Sequence, residues 1–139
     1  MPEIFRTIPC SPTSEDNCTY TQERWHDAVA PGVPELAQTT IVEQKLAPGF
    51  VSIKDARYML RPEAIESLFV MYRITGDRTL QDKAWTMFQA ISEVARTEIA
   101  FAGLEDVRQK RPKLIDTMES FWTGETLKYF YLCFSEPDV

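Results

Sequence analysis

Leu60-Arg61-Pro62-Glu63-Ala64-Ile65-Glu66-Ser67 and Met118-Glu119-Ser120-Phe121-Trp122-Thr123-Gly124-Glu125-Thr126-Leu127-Lys128-Tyr129 decide how this chain is read. Both set carboxylates among apolar residues at helical spacing. Ionised Glu is rarely buried unless it is paired, metal-bound or functional. Pro62 is a favoured first helical residue. Ile65, Leu68, Phe69 and Tyr72 then form an i, i+3, i+4, i+7 stripe that Gly76 ends. Glu63 and Glu66 share one face of that helix, with Glu63 in the first turn, where the helix dipole favours a carboxylate. The plain structural alternative makes Glu63 a first-turn acid, Glu66 a surface charge and Arg61 their ion-pair partner. Glu119 and Glu125 are too far apart to share a face. Gly124 inside a helix costs about 1 kcal/mol against Ala, which is tolerable where a neighbouring helix or a ligand must come close. By spacing alone, Phe121 and Trp122 read as core.

Around these stretches the chain reads as predominantly helical. Residues 1–32, rich in Pro, Ser, Thr and Asp, read as an irregular loop region with one short helix near Gln22–Val29. A helix is predicted from Pro34 to Lys45, stopped by Pro48-Gly49. Lys54-Asp55 reads as a hairpin turn with Arg57–Leu60 as a strand. Thr79 with Asp82 marks the start of a further helix whose apolar positions run from Ala84 to Ala95. Ala102–Val107 reads as a second short hairpin. The last helix is predicted from Asp116 to Phe134. Its second half, Tyr129 to Phe134, is apolar on every side, as in a helix surrounded by others.

The 139 residues suffice for one modest domain. A net charge of −6 argues against a nucleic-acid partner. No run of 18 apolar residues predicts a transmembrane segment, and the N-terminal residues lack the pattern of a signal peptide. Of three cysteines, Cys10 and Cys18 suit either a local bridge or two free thiols, and Cys133 reads as a small core hydrophobe. Asn17-Cys18-Thr19 fits the N-glycosylation sequon at Asn17. His26, the single histidine, has no partner motif.

Two carboxylates flanking a scissile bond, with an aromatic face for the sugar ring, are the usual equipment of a glycosidase. Glu63, Glu66, Phe121 and Glu125 make such a set if the two helix ends meet. Arg61-Pro62-Glu63-Ala64-Ile65-Glu66-Ser67 with Tyr72-Arg73-Ile74-Thr75-Gly76-Asp77, and Met118-Glu119-Ser120-Phe121-Trp122 with Glu125-Thr126-Leu127-Lys128-Tyr129, resemble two signatures of the class I α-1,2-mannosidases, glycoside hydrolase family 47. The likeness runs from about Ile4 to the last residue.

The resemblance implies an all-α fold: part of an (α/α)7 barrel with short β-hairpins, residues 33–139 being its C-terminal helices, truncated at both ends. It implies inverting, Ca²⁺-dependent trimming of α-1,2-linked mannose from high-mannose N-glycans in the secretory pathway, in the endoplasmic reticulum, the Golgi or outside the cell. Glu63 matches the general base and Glu66 a carboxylate that reaches Ca²⁺ through water. Arg61 falls in the same signature and by the resemblance helps order the site for substrate, Phe121 matches the aromatic on the mannose ring, and Glu125 matches a carboxylate that binds its hydroxyls. The family's general acid lies upstream of this stretch, and its Ca²⁺-ligating Thr is expected just beyond residue 139. Thr123 stands where Leu is usual in the signature, and Gly124 where Ala or Gly is usual. The expectation is therefore half an active site, inactive alone, with missing parts of the same barrel as partners. The competing reading is a non-catalytic helical module that binds glycans or another protein.

Overall fold

A computed structural model describes residues 1–10 and 18–136. Asn17, the sequon residue, lies outside the described residues. The chain divides into two compact units, Pro2–Ala56 and a second one beginning at Arg57.

In the first unit, strand β1 (Ile4–Thr7) pairs antiparallel with β2 (Phe50–Asp55), setting Phe5 opposite Ile53 and Thr7 opposite Phe50. Helices α1 (Gln22–Val29) and α2 (Pro34–Gln44) complete it. Thr21 caps α1 by accepting the Arg24 N–H on its hydroxyl oxygen. Trp25, Ile41 and Leu46 form the core with Ile8, Val29, Phe50 and Ile53 against them. The Trp25 indole donates to the Phe50 carbonyl at 2.8 Å, so burying the ring strands no polar group. Cys10 and Cys18 are joined as a disulfide with Cα atoms 5.5 Å apart.

Two expectations are corrected here. The stretch read as irregular contains β1. Lys54-Asp55 does not turn a hairpin, because β2 finds its partner in β1, far away in sequence. A local pattern cannot show a pairing of that kind.

The second unit carries the helices that matter. Helix α3 (Glu63–Thr75) follows Pro62 and ends at Gly76, whose φ of +68° suits a glycine. Helix α4 (Thr79–Ala95) is entered through Asp77, whose carboxylate accepts the Thr79 N–H at 2.9 Å; Asp77 performs the capping expected of Thr79 with Asp82. Strands β3 (Gly103–Leu104) and β4 (Leu114–Ile115) pair antiparallel, and Tyr58 bridges to Leu104.

The last helix does not start at Asp116. Residues 116–120 are irregular, and a π-helical turn, Trp122–Thr126, leads into α5 (Leu127–Phe134). The preceding Leu114-Ile115 is taken into the β-ladder, which moves the helix start toward the C-terminus.

Contacts between Leu60 and Thr126, Glu66 and Tyr129, and Arg73 and Leu132 show that α3 and α5 run in the same direction. Helix α4 runs antiparallel to both: Gln81 meets Cys133 near its start, and Phe88 meets Phe130 further along. Ile65, Ala84, Phe130 and Cys133 form the core among the three helices. Tyr58, Leu60, Ala95, Leu104 and Trp122 form a second core beneath the helix starts.

Candidate functional site

The site is built where the entry to α3 meets the π-helical turn. Leu60 has a φ of +64°, a left-handed conformation that costs a residue with a Cβ about 1–2 kcal/mol. Two features hold it there. Its side chain is fully buried, and its carbonyl accepts the buried Thr126 hydroxyl at 2.6 Å. Arg61 follows directly, and Pro62 fixes the first turn from which Glu63 and Glu66 project.

The Arg61 guanidinium sits over the Phe121 ring at 5.5 Å and lies 3.8 Å from the Glu63 carboxylate. The Arg61–Glu63 pair is exposed, so the charge pairing is screened and weak. Arg61 thus joins the two stretches through an aromatic face. One turn along α3, Glu66 Oε1 accepts the Tyr129 hydroxyl at 2.9 Å. This hydrogen bond, burial and the negative charges of Glu66 and Glu125 raise the Tyr129 phenol above its ordinary pKa. Glu125 stands exposed on the π-turn. Turns of this kind recur at functional sites. Here the turn buries Trp122 and Thr126 and leaves Thr123, Gly124 and Glu125 exposed.

Four of the five residues singled out in the sequence make contacts here, Arg61 with Glu63 and Phe121 and Glu66 with Tyr129, while Glu125 stands exposed on the neighbouring π-turn. Phe121, expected in the core by spacing, is only half-buried beneath Arg61, whereas Trp122 is the true core residue. Sequence reasoning missed Thr126 and Tyr129. A Tyr within an apolar helix needs a partner for its hydroxyl, and that signal was available.

Arg73 locks the far end. It donates to the carbonyls of Leu132, Ser135 and Glu136 and stacks over Phe69 at 5.3 Å, while the Phe69 ring packs against Tyr129.

The model of Glycosyl hydrolase family 47 matches residues 1–139. The chain belongs to this family. Over 86 residues it is 43% identical to mannosyl-oligosaccharide 1,2-alpha-mannosidase MNS3 of Arabidopsis thaliana, an alignment covering 61% of this chain and 14% of that protein. Over 84 residues it is 44% identical to the human endoplasmic reticulum mannosyl-oligosaccharide 1,2-alpha-mannosidase, covering 59% and 12%. The solved alpha-1,2-mannosidase from Trichoderma reesei superposes with a TM-score of 0.64 at 40% identity, over 70% of this chain and 20% of that one. The helices are thus those of a family 47 α/α barrel, though no closed barrel forms among the described residues. The chain spans 14% and 12% of the length of these two curated relatives.

The family implies Ca²⁺, and the residues of this stretch do not by themselves fit it. Among the described residues no three His, Cys, Asp or Glu side chains converge. Ca²⁺ takes six to eight oxygen ligands, and Glu66 alone does not make a site. No helix among the described residues is long and apolar enough to cross a membrane.

Proposed function

We propose that these family 47 residues supply one wall of an α-1,2-mannosidase active site acting on high-mannose N-glycans. The observation that carries this reading is the junction of the two signature stretches, in which Arg61 meets Phe121 and Glu66 meets Tyr129. Glu63, exposed in the first turn of α3, is the general base that takes a proton from the attacking water. Phe121 offers a half-buried ring to the apolar face of mannose, and Arg61 holds that ring and Glu63 in register. Glu66 and Glu125 accept from sugar hydroxyls. Inversion needs the acid opposite Glu63 at about 6.5–9.5 Å, with room for a water. In this reading the acid comes from the rest of the barrel. Ca²⁺ binding likewise belongs to the assembled barrel, with Glu66 reaching the ion through water. In this reading the working enzyme belongs to the secretory pathway, which the endoplasmic reticulum in the human relative's name supports. The Cys10–Cys18 disulfide suits that compartment, as would glycosylation at the Asn17 sequon.

Exposed apolar residues Met71, Ile74 and Tyr131 mark surfaces that further barrel helices would cover. They equally suit the second reading, a helical module that binds a glycan or protein without cleaving. The test joins residues 1–139 to the remaining segments of the Trichoderma reesei enzyme and assays release of α-1,2-linked mannose. Release that Glu63→Gln abolishes supports the enzyme. Glycan binding without release supports the module.

A further inference from the structure

We propose that Tyr129 is a positioning residue for Glu66: its phenol holds one carboxylate oxygen, so that the other stays available to an incoming hydroxyl or water. The functional half of this inference rests on the mannosidase reading of Glu66 given above.

The geometry is specific. The Tyr129 hydroxyl donates to Glu66 Oε1 at 2.9 Å, joining α5 to α3 across 63 residues of sequence. The tyrosine ring is itself fixed. The Phe69 ring lies 5.8 Å from it, and the Lys128 ammonium lies 5.0 Å from its centroid. Phe69 is in turn covered by Arg73, which is tied to the α5 carbonyls. A carboxylate left to itself on a helix samples several rotamers. One that accepts from a fixed phenol has its plane set. An ionised carboxylate only accepts, so the oxygen not used by Tyr129 can bind only a donor. Sugar hydroxyls and water are both donors. Misplacing such a group by about 1 Å can cost about a hundredfold in rate.

Two readouts test this. In the completed barrel, Tyr129→Phe, Glu66→Gln and the double variant are compared for mannose release. Tyr129→Phe lowers kcat about tenfold with little change in KM, and has no further effect in the Glu66→Gln background, because a residue acting only through Glu66 is not additive with it. Wild-type kcat and KM for Tyr129→Phe, or effects that multiply, overturn the proposal.

The second readout uses the 139-residue chain itself. Carbon-13 NMR of labelled tyrosine follows ionisation of Tyr129. The charged groups around it are Glu66 on α3, Glu125 on the π-turn, Lys128 beside it and Arg73 beyond Phe69. In Glu66→Gln the midpoint falls toward the ordinary phenol value of about 10. An unchanged midpoint removes the contact and the proposal with it. If the completed barrel releases no mannose even unsubstituted, the catalytic reading fails, and the titration decides whether Tyr129 holds Glu66.

Discussion

The Thr126 hydroxyl donates to the Leu60 carbonyl at 2.6 Å, and both residues are wholly buried. One hydrogen bond therefore fixes the π-turn that carries Glu125 to the left-handed residue that precedes Arg61. Thr126→Val keeps the shape but leaves the Leu60 carbonyl buried and unsatisfied. The expected cost is about 1–3 kcal/mol, most of which Thr126→Ser recovers. Urea denaturation of the two variants checks this. Equal stability for Val and Ser would show that the hydroxyl contributes nothing.

How much of this was legible in the sequence depends on the range of the interaction. Pro62 and Gly76 mark the limits of α3, and the Ile65, Leu68, Phe69, Tyr72 stripe marks its inner face, because a helix is set by residues three and four apart. The β1–β2 pairing joins Phe5 to Ile53 and has no local signature. The π-turn was invisible for a similar reason. Its wider path is settled by Trp122 packing against Phe101 and by Thr126 reaching Leu60. The candidate site was legible through Arg61, Glu63, Glu66, Phe121 and Glu125, because the two signatures quote their residue types directly. The partners of the hydroxyls that join the signatures, Leu60 for Thr126 and Glu66 for Tyr129, are read only once α3 and α5 are side by side.

Asp106 makes stability depend on acid. Its carboxylate accepts both Arg108 Nε and Nη2, at 2.9 and 3.0 Å, and the Arg108 backbone N–H as well. The Arg108 guanidinium holds Asp106 far below the usual carboxylate range. A lowered folded pKa means that the stabilisation is complete above the unfolded value, about 3.9, and is lost as pH falls toward the folded one. Asp106→Asn is therefore less stable than the parent near neutral pH, and the gap closes below about pH 4. Denaturation midpoints measured across that range give the answer. A gap that stays constant with pH would rule out the ion pair as its cause.

Cys133 should be a slow thiol. It is fully buried, and burial pushes its pKa up against the smaller opposing effect of the Arg73 charge. The thiolate is the reactive form. With Cys10 and Cys18 bridged, the folded chain offers alkylating reagents no exposed thiol among the described residues. Iodoacetamide at mildly alkaline pH should label the native chain slowly and the denatured, unreduced chain rapidly at one position. Rapid native labelling at Cys133 would show that α5 opens from α3 and α4.

Arg73 holds the end of α5. Its guanidinium donates to the carbonyls of Leu132, Ser135 and Glu136 while lying over Phe69. Those carbonyls fall where a helix runs out of intrahelical donors. Arg73→Met keeps much of the apolar stem but removes every donor, and is expected to cost about 1–3 kcal/mol. Arg73→Lys keeps the charge without the planar fork and recovers only part. Hydrogen exchange locates the effect. Faster exchange confined to α5 supports the capping role, whereas loss spread evenly over α3, α4 and α5 would assign Arg73 to packing alone.

Gly124 tests the needs of this chain against those of a ligand. A glycine in a helical turn costs about 1 kcal/mol against Ala, so its presence calls for a cause. The backbone supplies none, since its φ is not in the left-handed range, unlike Gly32, Gly49 and Gly76. Packing within the described residues supplies none either, because a Cβ at Gly124 would meet nothing within 4 Å. Gly124→Ala should therefore stabilise the chain by about 0.4–1 kcal/mol by restricting the unfolded state. In the completed barrel the same change should leave mannose binding unchanged, because the family signature takes Ala as well as Gly at this position and a Cβ at Gly124 meets nothing within 4 Å. Calorimetry of the chain and KM of the barrel give two independent answers. A stabilised chain with a raised KM would instead assign the missing side chain to the approach of the sugar. A stabilised chain with an unchanged KM, the expected result, leaves the glycine without a role in binding.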